Sequence, residues 1–100
     1  MYQKGRAWIE LDIDNLDYNI RQFRKILSPK CAIMPAVKAN AYGHGAVLIA
    51  KALQDLEIKD FCVASVNEAA LLRKAGILGQ ILILGYTSPN QFSDLVKYNL

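Results

Sequence analysis

The residues Val37-Lys38-Ala39-Asn40-Ala41-Tyr42-Gly43-His44-Gly45 bring together several side chains that can do chemistry. Lys38 directly follows an apolar run. Burial at a strand end penalises the ammonium form of a lysine, and an uncharged amine attacks a carbonyl carbon to form a Schiff base. The plainer role for the same residue is to snorkel, with its charge in water and its stem along the strand. Four residues later, the Tyr42 hydroxyl is a hydrogen-bond donor, and Gly43 and Gly45 allow close backbone approach at a helix start. Those donors suit a phosphate; the alternative is a packing tyrosine beside two turn glycines. His44 has no partner at acid-base spacing and reads as a helix-entry residue. Asp12 and Asp14 read as a strand end and an N-cap rather than as a catalytic carboxylate pair.

The elements that must position these groups follow from periodicity. Residues 7–13 alternate enough to predict a strand, while Leu16, Ile20, Phe23 and Leu27 fall on one helical face that Asp14 opens and Ser28-Pro29 closes. Residues 31–37 form an unbroken apolar run, as a strand covered on both faces does. Pro35 within it removes a ladder donor, which predicts an edge, a bulge or a first strand with an incomplete neighbour. A helix over residues 46–55 and a strand over 61–64 come next. Ser65 and Glu68 have capping-box spacing before a helix that closes at Gly76. A strand over 81–84 precedes Ser88-Pro89, which repeats the capping logic before a helix with Phe92, Leu95 and Val96 inward. The result is a leading strand and helix followed by three strand-helix units, the pattern of a parallel α/β sheet.

Composition narrows the function classes. One hundred residues, 53% hydrophobic and 21% charged, describe an ordinary globular α/β chain. Twelve Lys and Arg against nine Asp and Glu leave a net charge of only +3. The loose basic group Arg21, Arg24, Lys25 and Lys30 has helical spacing and reads as a solvated face, so no nucleic-acid partner is expected. No apolar stretch approaches the roughly 20 residues of a membrane span. With no signal pattern at the start, a cytoplasmic location is expected. Cys31 and Cys62 read as reduced, buried thiols, and no metal site is expected. A (β/α)₈ barrel takes roughly 250 residues, so three open units predict the amino-terminal part of a larger protein.

Residues 36–45, Ala-Val-Lys-Ala-Asn-Ala-Tyr-Gly-His-Gly, resemble the cofactor-lysine signature of the pyridoxal-phosphate-dependent alanine racemases. Residues 6–12, residues 60–65 with Glu68-Ala69, and residues 81–85 resemble collinear blocks of the same family. The resemblance implies the first part of a (β/α)₈ barrel over residues 14–100, continuing past 100. It places residues 1–13 as a strand segment of a second, β-rich domain. It implies pyridoxal 5'-phosphate as cofactor, a homodimer, and two-base racemisation of L-alanine to D-alanine for cell-wall peptidoglycan. Lys38 matches the lysine that carries the cofactor and moves a proton, Tyr42 the tyrosine that bonds its phosphate, and Leu84 a residue lining the pocket. The family's second base and substrate arginine match no residue here; Tyr2, Tyr18, Tyr42, Tyr86 and Tyr98 are not that base. Pro35 stands where the signature has an aliphatic residue, a form that resembles the serine racemases of vancomycin resistance, in which the racemase follows a membrane domain. Readings of another class are a non-catalytic pyridoxal-phosphate carrier or regulator, and a phosphate-binding module without covalent chemistry. The 100 residues alone are expected to be inactive.

Overall fold

The computed structural model describes residues 5–100, and the chain first becomes regular at α1 (Ile13–Ile26). Its N-cap is Asp12, whose carboxylate accepts the Asn15 N–H at 3.1 Å. The helix therefore opens two residues earlier than the expected Asp14, which instead lies in the first turn beside the positive end of the helix. No strand forms among the described residues of the 7–13 segment; a strand needs a neighbour for its backbone donors, and nothing pairs there. Residues 1–4 of the expected leading segment, with Tyr2, lie outside the described residues.

Three parallel stretches make the sheet. β1 (Phe61–Val63) pairs with β2 (Ile81–Ile83) in the register Phe61↔Ile81, Cys62↔Leu82, Val63↔Ile83. On the other side of β1, residues 31–37 contribute one parallel bridge, Ala36↔Cys62. Its bonds run from the Cys62 N–H to the Pro35 carbonyl and from the Val37 N–H to the Cys62 carbonyl, both 2.9 Å. The next rung towards the amino terminus would need a Pro35 N–H, which proline lacks. The ladder accordingly stops there, and this stretch is an edge of the described sheet.

Two helices cover one face: α3 (Ala46–Asp55) and α4 (Val66–Lys74), with the single turn α2 (Lys38–Tyr42) ahead of them. Strand side chains alternate between faces. Val37, Phe61, Val63 and Ile81 point to the helices and are buried with Ala50, Leu53, Ala69, Leu72 and Ile77. The opposite row holds Ala36, Cys62 and Leu82, and Leu82 is 50% exposed. The described residues form a slab 43 × 41 × 20 Å with one apolar sheet face open.

The helix ends carry the remaining differences. Ser65 Oγ accepts the Glu68 N–H at 3.2 Å, half of the predicted capping box, but the Glu68 carboxylate takes other donors. Gly76, at φ +93°, closes α4 in the left-handed conformation a Cβ disfavours. Ser88 makes no side-chain cap; Pro89 opens a 3₁₀ turn (Pro89–Gln91) that leads into α5 (Phe92–Lys97). Phe92 and Val96, expected inward, are 53% and 84% exposed because no layer among the described residues lies beneath them. Phe23 and Leu27 are exposed for the same reason, so only Leu16 and Ile20 of that face are covered. Cys62 is buried as expected, whereas Cys31 is exposed; both thiols are free.

Arg73 fastens the end of the slab. Its guanidinium donates to the carbonyls of Tyr98 (2.7 Å), Ile77 (2.8 Å), Gly79 (2.6 Å) and Asn99 (2.8 Å). Arg73→Ala is expected to lower stability by about 1.5–3 kcal/mol, the range for hydrogen bonds to a charged group. Lysine at this position, a point donor without the planar fork, should recover less than half of that. Urea unfolding midpoints check both; an alanine variant as stable as the parent contradicts the role.

Candidate active site

The carboxyl ends of the parallel stretches set the site. Two residues beyond the paired row Ala36, Cys62 and Leu82 lie Lys38, Ala64 and Leu84, at the same edge of neighbouring strands. With strands roughly 4.8 Å apart, Lys38 and Leu84 are separated across the sheet by about 10 Å. Open α/β sheets build sites at this edge. Leu84 donates its N–H to the Val63 carbonyl at 2.8 Å, and its side chain is 54% exposed at the rim. Gly85 follows, and any Cβ there would collide with the Ala64 carbonyl, so the two loops meet backbone to backbone.

Lys38 opens α2, a turn of left-handed helix. Ala39, Asn40, Ala41 and Tyr42 have φ of 50°, 54°, 56° and 55°. This conformation costs an L-residue roughly 1–2 kcal/mol, so four in succession must be held by their surroundings. Asn40, a residue type that tolerates it, accepts the Ala46 N–H on Oδ1 at 2.8 Å and the Gly45 N–H on its carbonyl at 2.9 Å, tying the turn to α3. Gly43 continues the left-handed path at φ +92°. The Ala39 N–H donates to Glu68 Oε2 at 2.7 Å, and Glu68 Oε1 accepts the Ala64 N–H at 2.7 Å.

Lys38 is half-buried, and its amine has no hydrogen-bond or ion-pair partner among the described residues. Tyr42, one turn further on, is 63% exposed, and its hydroxyl is likewise unpartnered. His44 is tied into the turn, its Nδ1 2.8 Å from the Ala41 carbonyl, and faces no carboxylate. Asp12 acts as a cap, so the Asp12 and Asp14 pair has a structural use. No group of side chains suited to a metal ion exists among the described residues. The arrangement offers an amine for a carbonyl and, one turn away, a hydroxyl donor for an anion. A molecule that carries both an aldehyde and a phosphate matches this donor set.

The left-handed turn offers a sharp test of geometry at Ala39, which is exposed. Ala39→Gly should be near neutral, because relief of strain offsets the extra chain entropy. Ala39→Val should cost roughly 1–2 kcal/mol, since a β-branched residue is a genuine outlier there. Thermal unfolding compares the pair, and equal midpoints for valine and glycine would contradict the turn.

Sequence reasoning singled out Lys38 and Leu84, which share one sheet edge in the structure, and Tyr42, which ends the turn that Lys38 opens. It missed Glu68 as a bridge between two strand ends, since the Ser65 spacing pointed to a local cap. It also missed Asn40, for which the only signal was a left-handed-tolerant residue between alanines.

A family model described as alanine racemase, N-terminal domain, matches residues 11–100. The chain is 50% identical over 95 residues to an amino-acid racemase of Enterococcus faecalis, a match covering 95% of this chain and 14% of that protein. It is 46% identical over 94 residues to the alanine racemase of Carboxydothermus hydrogenoformans, covering 94% and 25%. Among solved structures, the alanine racemase of Bacillus anthracis with bound L-Ala-P superposes with a TM-score of 0.91 at 30% identity, covering 99% of this chain and 26% of that one. The Clostridium difficile 630 alanine racemase in complex with cycloserine gives 0.82 at 40% identity, covering 86% and 23%. The chain thus spans about a quarter of the length of the alanine racemases it matches, and about a seventh of the amino-acid racemase.

Proposed function

Because this chain belongs to the alanine racemase family, we propose that it is the first part of the (β/α)₈ barrel of an enzyme that interconverts L- and D-alanine with pyridoxal 5'-phosphate. Residues 14–100 are the barrel portion, and the leading residues 1–13 belong to a second domain. The observation that carries this reading is the half-buried, unpartnered amine of Lys38 at the strand edge, one turn from the free hydroxyl of Tyr42.

When bound, pyridoxal phosphate supplies an aldehyde for the lysine and a conjugated ring that accepts the charge left by α-proton removal. Lys38 would hold the group through its Nζ, and the same amine, when free, is the base or acid for the α-proton on one face. The Tyr42 hydroxyl would donate to the phosphate, and Leu84 would line the site at the rim of β2. Inversion would need a second proton donor on the opposite face. In this reading it is a tyrosine of the second domain in the other subunit of a homodimer. The reaction is cytoplasmic and supplies D-alanine to peptidoglycan.

The experiment is direct. Full-length protein with pyridoxal phosphate and L-alanine should yield an equal mixture of enantiomers by chiral chromatography, as their free energies are identical. Absence of D-alanine overturns the reading.

A second reading has its own support. The chain reaches 50% identity with a protein named amino-acid racemase, and Pro35 stands ahead of Ala36-Val37-Lys38 where the alanine racemase signature has an aliphatic residue. Serine is the rival substrate, and the ratio of kcat/KM for L-serine and L-alanine decides between them.

A further inference from the structure

We propose that Glu68 is a positioning residue for Lys38, holding the lysine-bearing end of the left-handed turn against the end of β1 through two backbone hydrogen bonds. The inference rests on the cofactor reading above and extends it to a residue of the next strand-helix unit.

Among the described residues, Glu68 is the only side chain that bonds the backbone of residues 38 and 39, through the Ala39 N–H at 2.7 Å. Its other oxygen takes the Ala64 N–H at 2.7 Å, so one carboxylate joins the ends of two neighbouring strands. Glu68 is itself fixed, in the first turn of α4 with its own N–H on Ser65 Oγ at 3.2 Å. A carboxylate there also gains from the positive end of the helix, and its bonds to N–H groups are charge-assisted.

Packing does not replace this tie. Of the turn residues, Ala41 is buried, while Ala39, Asn40 and Tyr42 are exposed. Asn40 secures the carboxyl end of the turn to α3, and Glu68 secures the amino end, next to the reacting amine. Glu68 is not the counter-ion of that amine, since no ion pair joins them. It acts through the main chain. Loss of the tie frees Ala39 to leave the left-handed region and shifts Lys38, and a misplacement of about 1 Å costs a reaction on the order of 10²-fold.

Glutamine is the informative replacement. Two N–H donors face the two oxygens, and an amide has a single acceptor oxygen, so either orientation sets an NH₂ against a backbone N–H. In the full-length protein, the rate at which Lys38 gains a borohydride-reducible adduct with pyridoxal phosphate is followed by peptide mass mapping. The amine and aldehyde condense with loss of one water, and borohydride then delivers hydride to the C=N bond, which a solvent proton completes as a secondary amine. Glu68→Gln should slow labelling of Lys38 at least about tenfold. Arg73→Ala, remote from the site, should lower the urea midpoint and leave labelling within twofold. Equal labelling in Glu68→Gln and the parent overturns the proposal, as does equal slowing in both variants, which would reflect stability alone. Should Glu68→Gln not fold, hydrogen exchange of the Ala39 amide in the unsubstituted protein decides: slowed exchange supports the tie, and exchange at the free-peptide rate overturns it. No labelling of Lys38 in the unsubstituted protein overturns the cofactor reading and this inference together, whereas labelling insensitive to Glu68 removes this inference only.

Discussion

Replacing Lys38 by alanine is expected to remove the borohydride-reducible pyridoxal-phosphate adduct and to lower kcat/KM for racemisation by at least about 10³-fold. A positioned acid-base group contributes roughly 10²–10⁴-fold, and this lysine is assigned the anchoring of the cofactor as well. The loss should come without unfolding, because the amine makes no hydrogen bond or ion pair among the described residues and its removal orphans no donor or acceptor. Mass spectrometry after reduction and chiral product analysis read the two effects separately. An adduct of equal yield in the variant would move the chemistry to another residue.

The second large effect is on stability. Phe61, in β1, has no exposed surface and lies with Leu53, Leu72 and Ile77 between the sheet and its helices. Phe61→Ala should cost about 3–5 kcal/mol, through lost transfer energy and the cavity left by incomplete collapse. That exceeds the cost set for Arg73→Ala, whose carbonyl partners can turn to water. Denaturant titration checks it, and a loss under about 1 kcal/mol would mean that α3 and α4 do not close over this strand as described.

Much of the fold, and the residues of the candidate site, could be picked out because the signals were local. The apolar run ahead of Lys38 located a stretch that meets β1 in one bridge rather than as a full strand, and Pro35 pointed to the sheet edge that this stretch forms. Ser65 and Gly76 marked the ends of α4. The rest failed where distant chain decides. Residues 7–13 alternate like a strand, yet pairing requires a partner that periodicity cannot supply. Phe92 and Val96 have an inward pattern without a layer to meet it. The left-handed turn of α2 is tied to α3 and α4 by partners outside it, and within residues 38–43 Asn40 and Gly43 are its only local signals. Glu68 illustrates the limit: its spacing from Ser65 signals a cap, while its second partner lies 29 residues away.

The open sheet face carries a consequence for the cell. A β2 edge without a neighbour among the described residues, beside Leu82 and Leu84 in contact with water, is a template for pairing with any other exposed strand. Clipping by a protease or a premature stop that strands this stretch without cover would therefore create an adhesive remnant, fit for chaperones and degradation rather than a soluble decoy that sequesters cofactor.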